Sequence, residues 1–253
     1  MTSTRTLVII PTYNESENIG PIVRRVHAAE PDIHVLIVDD GSPDGTGDIA
    51  DAMAGADDRV SVLHRTSKAG LGAAYQAGFD WAVRERFDFV VELDADGSHP
   101  PEVLPLMLRT AWSDPEIGGV IGSRWVPGGG VENWPLLRQL ISRGGSLYAR
   151  AMLGVPVKDV TAGYRVYPTR IFADLDLDSL DSKGYCFQID MTRRVAATGR
   201  ALVEVPIRFR ERELGQSKMS GGIVAEAMWR VTAWGLRRWR DVLLGRARSS
   251  AAA

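Results

Sequence analysis

Short apolar runs separated by helix-period segments constrain this chain more than any other feature. Leu7–Ile10, Val35–Val38, Val60–Leu63, Phe89–Leu93 and Val120–Ile121 read as buried strands. Between them Ile19, Ile22, Val23 and Val26 recur at helical spacing, as do Leu71, Ala74, Tyr75, Gly78 and Phe79. Strand, helix, strand, helix requires right-handed crossovers, and predicts an α/β fold with a mainly parallel central sheet flanked by helices. At 253 residues, 45% hydrophobic and 25% charged, the chain suits one sizeable domain with its own core. The expected organisation is that domain over residues 1–219, an amphipathic membrane- or partner-docking helix over 220–246, and a disordered tail over 247–253.

In parallel sheets ligands bind beyond the carboxyl ends of the strands. Pro11-Thr12-Tyr13-Asn14-Glu15 follows the first run, Asp39-Asp40-Gly41-Ser42-Pro43-Asp44-Gly45-Thr46 the second, and Asp94-Ala95-Asp96-Gly97-Ser98-His99-Pro100-Pro101 the fourth. Two carboxylates one residue apart at a strand end suit a hard divalent cation, Mg²⁺ or Mn²⁺, sharing its remaining positions with phosphates and water. A lone pair of this kind is as often a solvated loop start; two further acidic turns on the same edge favour the metal. A carboxylate directly after a buried strand, as at Asp40, suits hydrogen bonds to a base or ribose, with Tyr13 and Glu15 beside it. Asp44 and Thr46 read as a turn and a helix N-cap. Gly70-Leu71-Gly72-Ala73-Ala74, after Arg65 and Lys68, fits either a phosphate-cradling helix start or close helix-to-sheet packing.

The single Cys186 excludes an internal disulfide framework, and four scattered histidines form no zinc-type cluster, so a metal would be held mainly by oxygen. Met1–Thr6 carries no export-type apolar region, and a cytosolic protein is expected. A net charge of −2 gives no reason to expect nucleic acid. That charge is uneven: beyond Ser220, six arginines face Glu226 and Asp241, interleaved with Trp229, Trp234 and Trp239. This is the composition of an interfacial helix, too interrupted by charge to span a bilayer. Tryptophans spaced five apart point in different directions around a helix, so some should pack on the domain.

The second half is less regular. Pro127-Gly128-Gly129-Gly130 reads as a mobile loop; helices are expected near Leu147–Leu153 and Phe187–Ala197, and a strand at Leu202–Val205. Basic residues after the sheet edge are Arg124, Arg138, Arg143, Arg165, Arg212 and Lys218, of which Arg143 and Arg165 read as solvated surface charges. Arg212 and Lys218 flank a polar stretch suited to closing cationic groups over phosphates.

Taken together, these residues resemble the family 2 inverting glycosyltransferases with the GT-A (Rossmann-like) fold, and more closely the polyprenyl-phosphate (dolichyl-phosphate) mannose synthases. The resemblance runs through Ile9-Ile10-Pro11-Thr12-Tyr13-Asn14-Glu15, Val38-Asp39-Asp40, Asp44-Gly45-Thr46, Asp94-Ala95-Asp96 and His99-Pro100-Pro101-Glu102. It continues through Gly122-Ser123-Arg124, Asn133-Trp134-Pro135-Leu136, Ser182-Lys183-Gly184-Tyr185 and Gly215-Gln216-Ser217-Lys218. It implies that Pro11, Tyr13, Glu15, Val38 and Asp40 hold the guanosine of GDP-mannose. Asp94, Ala95 and Asp96 would then lie at the metal and sugar diphosphate. Arg124, Arg138, Arg212 and Lys218 match basic positions used on the diphosphate and the acceptor phosphate. Ser98 stands where some relatives carry a metal-ligating glutamine, and its oxygen can take that place. Several relatives continue into transmembrane helices; this chain is expected to work peripherally at the cytoplasmic face of a membrane, through lipid contact or a membrane-anchored partner protein.

Such an acceptor explains why no histidine or paired carboxylate stands out as a general base. A phosphate monoester, with a second pKa of about 6, is already an anion at neutral pH and can attack the anomeric carbon unaided. Other readings remain open: the same fold using UDP-glucose and an undecaprenyl-type phosphate, a non-catalytic membrane adaptor, and, more remotely, a nucleotidylyltransferase.

Overall fold

The structure is a computed structural model and describes residues 4–67, 70–177, 185–211 and 221–244. The first half alternates β1 (Thr6–Thr12), α1 (Ile19–Ala29), β2 (His34–Asp39), α2 (Thr46–Ala56), β3 (Val60–His64), α3 (Leu71–Arg84) and β4 (Phe89–Glu92). Then come α4 (Leu104–Trp112), β5 (Ile117–Ser123), β6 (Gly130–Glu132), α5 (Leu136–Leu153) and β7 (Arg165–Pro168). The described chain closes with α6 (Tyr185–Ala197), β8 (Ala201–Pro206), β9 (Arg208–Arg210) and α7 (Gly221–Leu243).

Seven strands form one sheet in the order β3-β2-β1-β4-β7-β5-β8, and β6 pairs with β9 in a separate two-stranded ladder. The expected mainly parallel sheet is present, with one exception. β7 runs antiparallel between β4 and β5.

Period-two alternation in the strands divides the core between the two faces. Val8, Ile10, Val35 and Ile37 pack against α1 and α4 through Ile22, Val26, Leu104 and Leu108. Leu7, Ile9, Leu36 and Val38 point the other way, toward Tyr75 and Phe79 of α3 and Phe187 and Met191 of α6. Gly78 lets α3 approach that face closely, since a Cβ there would lie 2.7 Å from Ile9 Cγ2. Stacking of Tyr75 on Phe187 at 5.8 Å ties α3 to α6, and stacking of Phe79 on Phe172 at 4.4 Å ties α3 to the 3-10 turn Thr169–Asp174 after β7.

One expectation is corrected. Arg165 is not a solvated surface charge: it is fully buried, donating to the carbonyls of Val160 and Ala162 and the hydroxyls of Tyr167 and Thr192. The Pro127-Gly128-Gly129-Gly130 segment turns directly into the second ladder. Gly129 donates its N–H to the Val126 carbonyl, Gly130 donates to the Ile207 carbonyl, and β6 begins at once.

α7 packs one side on the domain. Ala227 and Val231 are buried, Trp234 lies under Arg193 with the cation 5.0 Å from the ring, and Tyr148 Oη and Thr232 Oγ1 are 2.7 Å apart. Trp229, Leu236, Trp239 and Leu243 stay exposed. No helix of the described residues is long and apolar enough to cross a membrane.

A Cβ on Gly129 would lie 2.6 Å from the Ser123 carbonyl oxygen, and backbone cannot yield as a side chain does. Gly129→Ala is therefore expected to destabilise the protein by about 1–3 kcal/mol in urea denaturation. An unchanged midpoint and slope would contradict this packing.

Candidate active site

The carboxyl ends of β1, β2, β3, β4 and β5 bring Tyr13, Asp40, Arg65, Asp94 and Arg124 to one edge of the sheet. The turn after β1 is fastened to the turn after β2: Asn14 N donates to Ser42 Oγ, Glu15 N to Thr46 Oγ1 and Ser16 N to Asp44 Oδ2, at 3.0–3.1 Å. Asp44 and Thr46 thus brace this turn, whereas the cap position of α2 is Gly45, at φ 86° with no side-chain cap bond. Partial desolvation pushes the Asp44 carboxyl up, but hydrogen bonds from Thr46 and Ser16 outweigh it and hold it at about 2.

Pro11 and Tyr13 are partly exposed at this edge, while Glu15 is buried and accepts from Asn18 Nδ2 at 2.7 Å. Asp40 is buried and paired with Arg65. Asp39 is used internally, taking hydrogen bonds from Thr12 and Ser42. The Val38 side chain belongs to the core, so only its backbone can meet a ligand.

Beyond β4, Asp94 and Asp96 are partly exposed and flank the buried Ala95. The Asp94 Oδ2 lies 3.5 Å from His99 Nε2, and Oδ1 accepts from Tyr75 Oη at 3.5 Å. Burial, with the negative Asp94 and Glu92 adding to it, drives the Tyr75 hydroxyl well above its usual range, so it stays protonated as a donor. Asp96 Oδ1 accepts the Ser98 N–H at 3.0 Å, and the Ser98 carbonyl accepts the Arg210 N–H at 3.0 Å, tying β9 to this loop. Ser98 Oγ is buried without a hydrogen-bond partner among the described residues.

Beneath these residues, Glu92 is fully buried and accepts from Gln188 Nε2 at 2.8 Å. Burial pushes its carboxyl up to about 7, against the opposing pull of Arg165 and Gln188.

Arg124, at the end of β5, is buried and bidentate on Asp159, with Nε to Oδ2 and Nη2 to Oδ1 both at 2.7 Å, and it also donates to Thr161. Its guanidinium lies 5.4 Å from the Trp134 ring centre and 5.5 Å from that of Phe209. Burial would raise Asp159, but Arg124 outweighs it and keeps the carboxyl below its usual range. Where the resemblance implies a phosphate contact, the structure thus holds Arg124 on a buried carboxylate. Arg138 lies over the Trp134 face at 4.0 Å and forms an ion pair with Glu211. Arg212 and Lys218 lie outside the described residues.

Sequence reading missed Glu92, Gln188, Tyr75 and Asp159 as parts of this edge. The signal for Glu92 was an acid inside an otherwise apolar strand; Tyr75 and Gln188 join through the packing of α3 and α6 on the sheet, and Asp159 through the loop between α5 and β7. A surface groove of about 650 Å³ lies elsewhere, beside Glu116 and Arg200 at the amino ends of β5 and β8. Its arginines already bind Asp190, Asp174 and the Pro115 carbonyl.

A largely parallel α/β sheet with an Asp-X-Asp loop at its carboxyl edge defines a GT-A-like glycosyltransferase fold. Residues 7–176 match the profile of Glycosyl transferase family 2, and the chain belongs to that family. It is 58% identical over 92% of its length to polyprenol monophosphomannose synthase of Mycolicibacterium smegmatis, covering 88% of that protein. It is 56% identical over 94% of its length to undecaprenyl-phosphate mannosyltransferase of Micrococcus luteus, covering 97% of it. Among solved structures it shares its fold with glucosyl-3-phosphoglycerate synthase of Mycobacterium tuberculosis in complex with Mn²⁺, UDP-glucose and phosphoglyceric acid. There the TM-score is 0.66 at 17% identity, over 92% of this chain and 80% of that one. Mannosyl-3-phosphoglycerate synthase of Rubrobacter xylanophilus matches with a TM-score of 0.62 at 18% identity, over 99% and 79% of the two chains.

Asp159→Ala leaves the buried Arg124 guanidinium without its carboxylate and should cost about 3–5 kcal/mol of stability by urea denaturation. A loss below about 1 kcal/mol would mean that the guanidinium is readily resolvated.

Proposed function

We propose that this glycosyltransferase moves mannose from GDP-mannose to a polyprenyl phosphate, giving polyprenyl-phosphate β-mannose. The observation that carries the reading is the 56–58% identity, over more than nine-tenths of the chain, to two enzymes named for mannosyl transfer to polyprenol or undecaprenyl phosphate.

The residues of the edge fit a divalent metal. Among the described residues no three acidic, histidine or cysteine side chains gather into a complete cage. Asp94 and Asp96 would share the ion with diphosphate oxygens and water, the usual manner of Mg²⁺ and Mn²⁺, and Ser98 Oγ, without a hydrogen-bond partner among the described residues, would be the third protein oxygen. Bound there, the metal would offset negative charge on the departing nucleotide diphosphate.

The remaining work falls to the chain itself. Tyr75 and His99 hold Asp94 in place. Pro11, Tyr13, Glu15, the backbone at Val38 and Asp40 receive the nucleoside. Arg138, Arg212 and Lys218 bring the sugar diphosphate and the acceptor phosphate together against their mutual repulsion. Arg124, fixed on Asp159, braces the wall behind them. An oxygen of the acceptor phosphate attacks the anomeric carbon as the bond to GDP breaks, so an α-linked donor gives a β-linked product without a protein base.

Access to a lipid acceptor is supported by two exposed apolar faces. Leu136, Leu140 and Leu147 lie on one side of α5, and Trp229, Leu236 and Leu243, spaced seven apart, lie on the outer side of α7. We propose that these faces meet the membrane surface or a membrane-anchored partner, as a peripheral protein on the cytoplasmic side.

With polyprenyl phosphate and Mn²⁺, turnover of GDP-mannose is expected to exceed that of UDP-glucose by about tenfold or more. Asp96→Asn should lower transfer about a hundredfold or more without moving the melting temperature; equal use of both donors, or full activity in the variant, would sink the respective assignment. Trp229→Ser combined with Leu236→Ser should reduce co-sedimentation with anionic liposomes while leaving the fold intact, and undiminished sedimentation would refute docking through α7.

A further inference from the structure

The carboxylate of Glu211 occupies an arginine that the proposed reaction needs for phosphate. Side chains alternate along β9 and the residue after it, sending Arg208 and Arg210 to one side and Phe209 and Glu211 to the other. Arg210 pairs with Glu132 across the two-stranded ladder, Nε to Oε2 at 2.7 Å. On the opposite side Phe209 packs edge-on against Trp134, with ring centres 5.3 Å apart, and Glu211 accepts from Arg138 Nη1. Trp134 is buried, and the Arg138 guanidinium lies 4.0 Å from its ring centre. Stacking of this kind leaves the edge of a guanidinium, which carries its N–H donors, for an anion.

Glu211 uses that edge sparingly. Its hydrogen bond to the guanidinium runs from Nη1 to Oε1 alone, and the two side chains are 36% and 40% exposed. An ion pair so open to water is weak, and a stronger anion can displace it. A phosphate that takes two guanidinium N–H groups at once is such an anion. Arg138 also borders the apolar face of α5: Leu137 precedes it, Ile141 follows three residues on, and both are exposed. A membrane surface met by that face is crowded with phosphate, nearly all of it in phosphodiester headgroups. The proposed acceptor is a monoester.

Charge separates the two. A phosphodiester carries a single negative charge, as a carboxylate does, and Glu211 has the advantage of being tethered within reach. A phosphate monoester carries a charge of about −1.5 to −2 at neutral pH and offers three free oxygens. Glu211 therefore holds its place against the first and yields it to the second. We infer that Glu211 is a positioning residue acting through Arg138, which keeps the guanidinium closed to phosphodiesters and open to a monoester dianion. This rests on the reading of Arg138 as a phosphate-binding group in the proposed reaction, and adds to it the means by which a monoester lipid is selected.

The test is steady-state transfer by the full chain to polyprenyl phosphate in neutral-detergent micelles, with phosphatidylglycerol, a phosphodiester lipid, added at constant total lipid and detergent. Wild type, Glu211→Gln, Glu211→Asp, Glu132→Gln and Arg138→Gln are compared, with melting curves to verify folding. Added phosphatidylglycerol should raise the KM for polyprenyl phosphate about threefold or more further in Glu211→Gln than in wild type, with kcat unchanged. Glu211→Asp, which keeps the charge, and Glu132→Gln, which removes a charge from the other side of the ladder, should respond as wild type does. An equal response in Glu211→Gln and wild type would overturn the inference, as would an equal rise in Glu132→Gln, which would reduce the effect to general surface charge. Loss of transfer in a folded Glu211→Gln would overturn it too, because a place-holder is dispensable for turnover. Arg138→Gln should raise the KM for polyprenyl phosphate about tenfold or more. If it does not, the inference falls with the role of Arg138 while mannosyl transfer stands; if wild type does not use polyprenyl phosphate, the proposed function falls as well.

Discussion

A charge buried in the middle of the sheet sets the geometry on which the active edge depends. Arg165 has no exposed surface, and an unsatisfied guanidinium in that position would be prohibitively unfavourable. Its donors instead reach two carbonyls and two hydroxyls. Glu92 lies opposite it in the antiparallel register, and the Arg165 guanidinium opposes the burial that would otherwise push that carboxyl higher still. A slip of β7 by one residue would turn Arg165 to the other face and strand both groups. The pair thus fixes where β4 ends, and so where Asp94 and Asp96 emerge. A second arginine works nearby in the same way: Arg124 on Asp159 anchors the start of the segment that Arg165 closes.

Much of this was legible before any coordinates. The apolar runs Leu7–Ile10, Val35–Val38 and Val60–Leu63 fall inside β1, β2 and β3, because buried parallel strands are written as continuous hydrophobic stretches. The acidic turns could be assigned to one edge once the strands were, since direction along a parallel sheet is common to all its members. β7 was not legible. It has four residues, includes an arginine and ends on proline, and its burial comes from partners distant in sequence. α5 was seen only in its last turns, because Leu136, Leu137, Leu140 and Ile141 face outward and blur the periodicity by which a buried helix is recognised.

The site's pairings were hidden for a related reason. Asp40 beside Arg65, and Arg124 beside Asp159, are neighbours through strand register and loop path, neither of which a local pattern encodes. Sequence identifies the acids at the edge; the sheet decides which of them are buried within the fold and which stay partly exposed. Asp39, Asp159 and Glu92 serve the fold, whereas Asp94 and Asp96 remain partly open. The tryptophans of α7 divide likewise, with Trp234 packed inward and Trp229 and Trp239 outward.

The bond from Arg210 N to the Ser98 carbonyl uses main-chain atoms only. A fastening of that kind has no side chain to lose, so substitutions at positions 98 and 210 leave it intact. The side chain at position 98 can therefore change while β9 stays moored to the carboxylate loop. Evolution can alter that side chain without dismantling the scaffold around it.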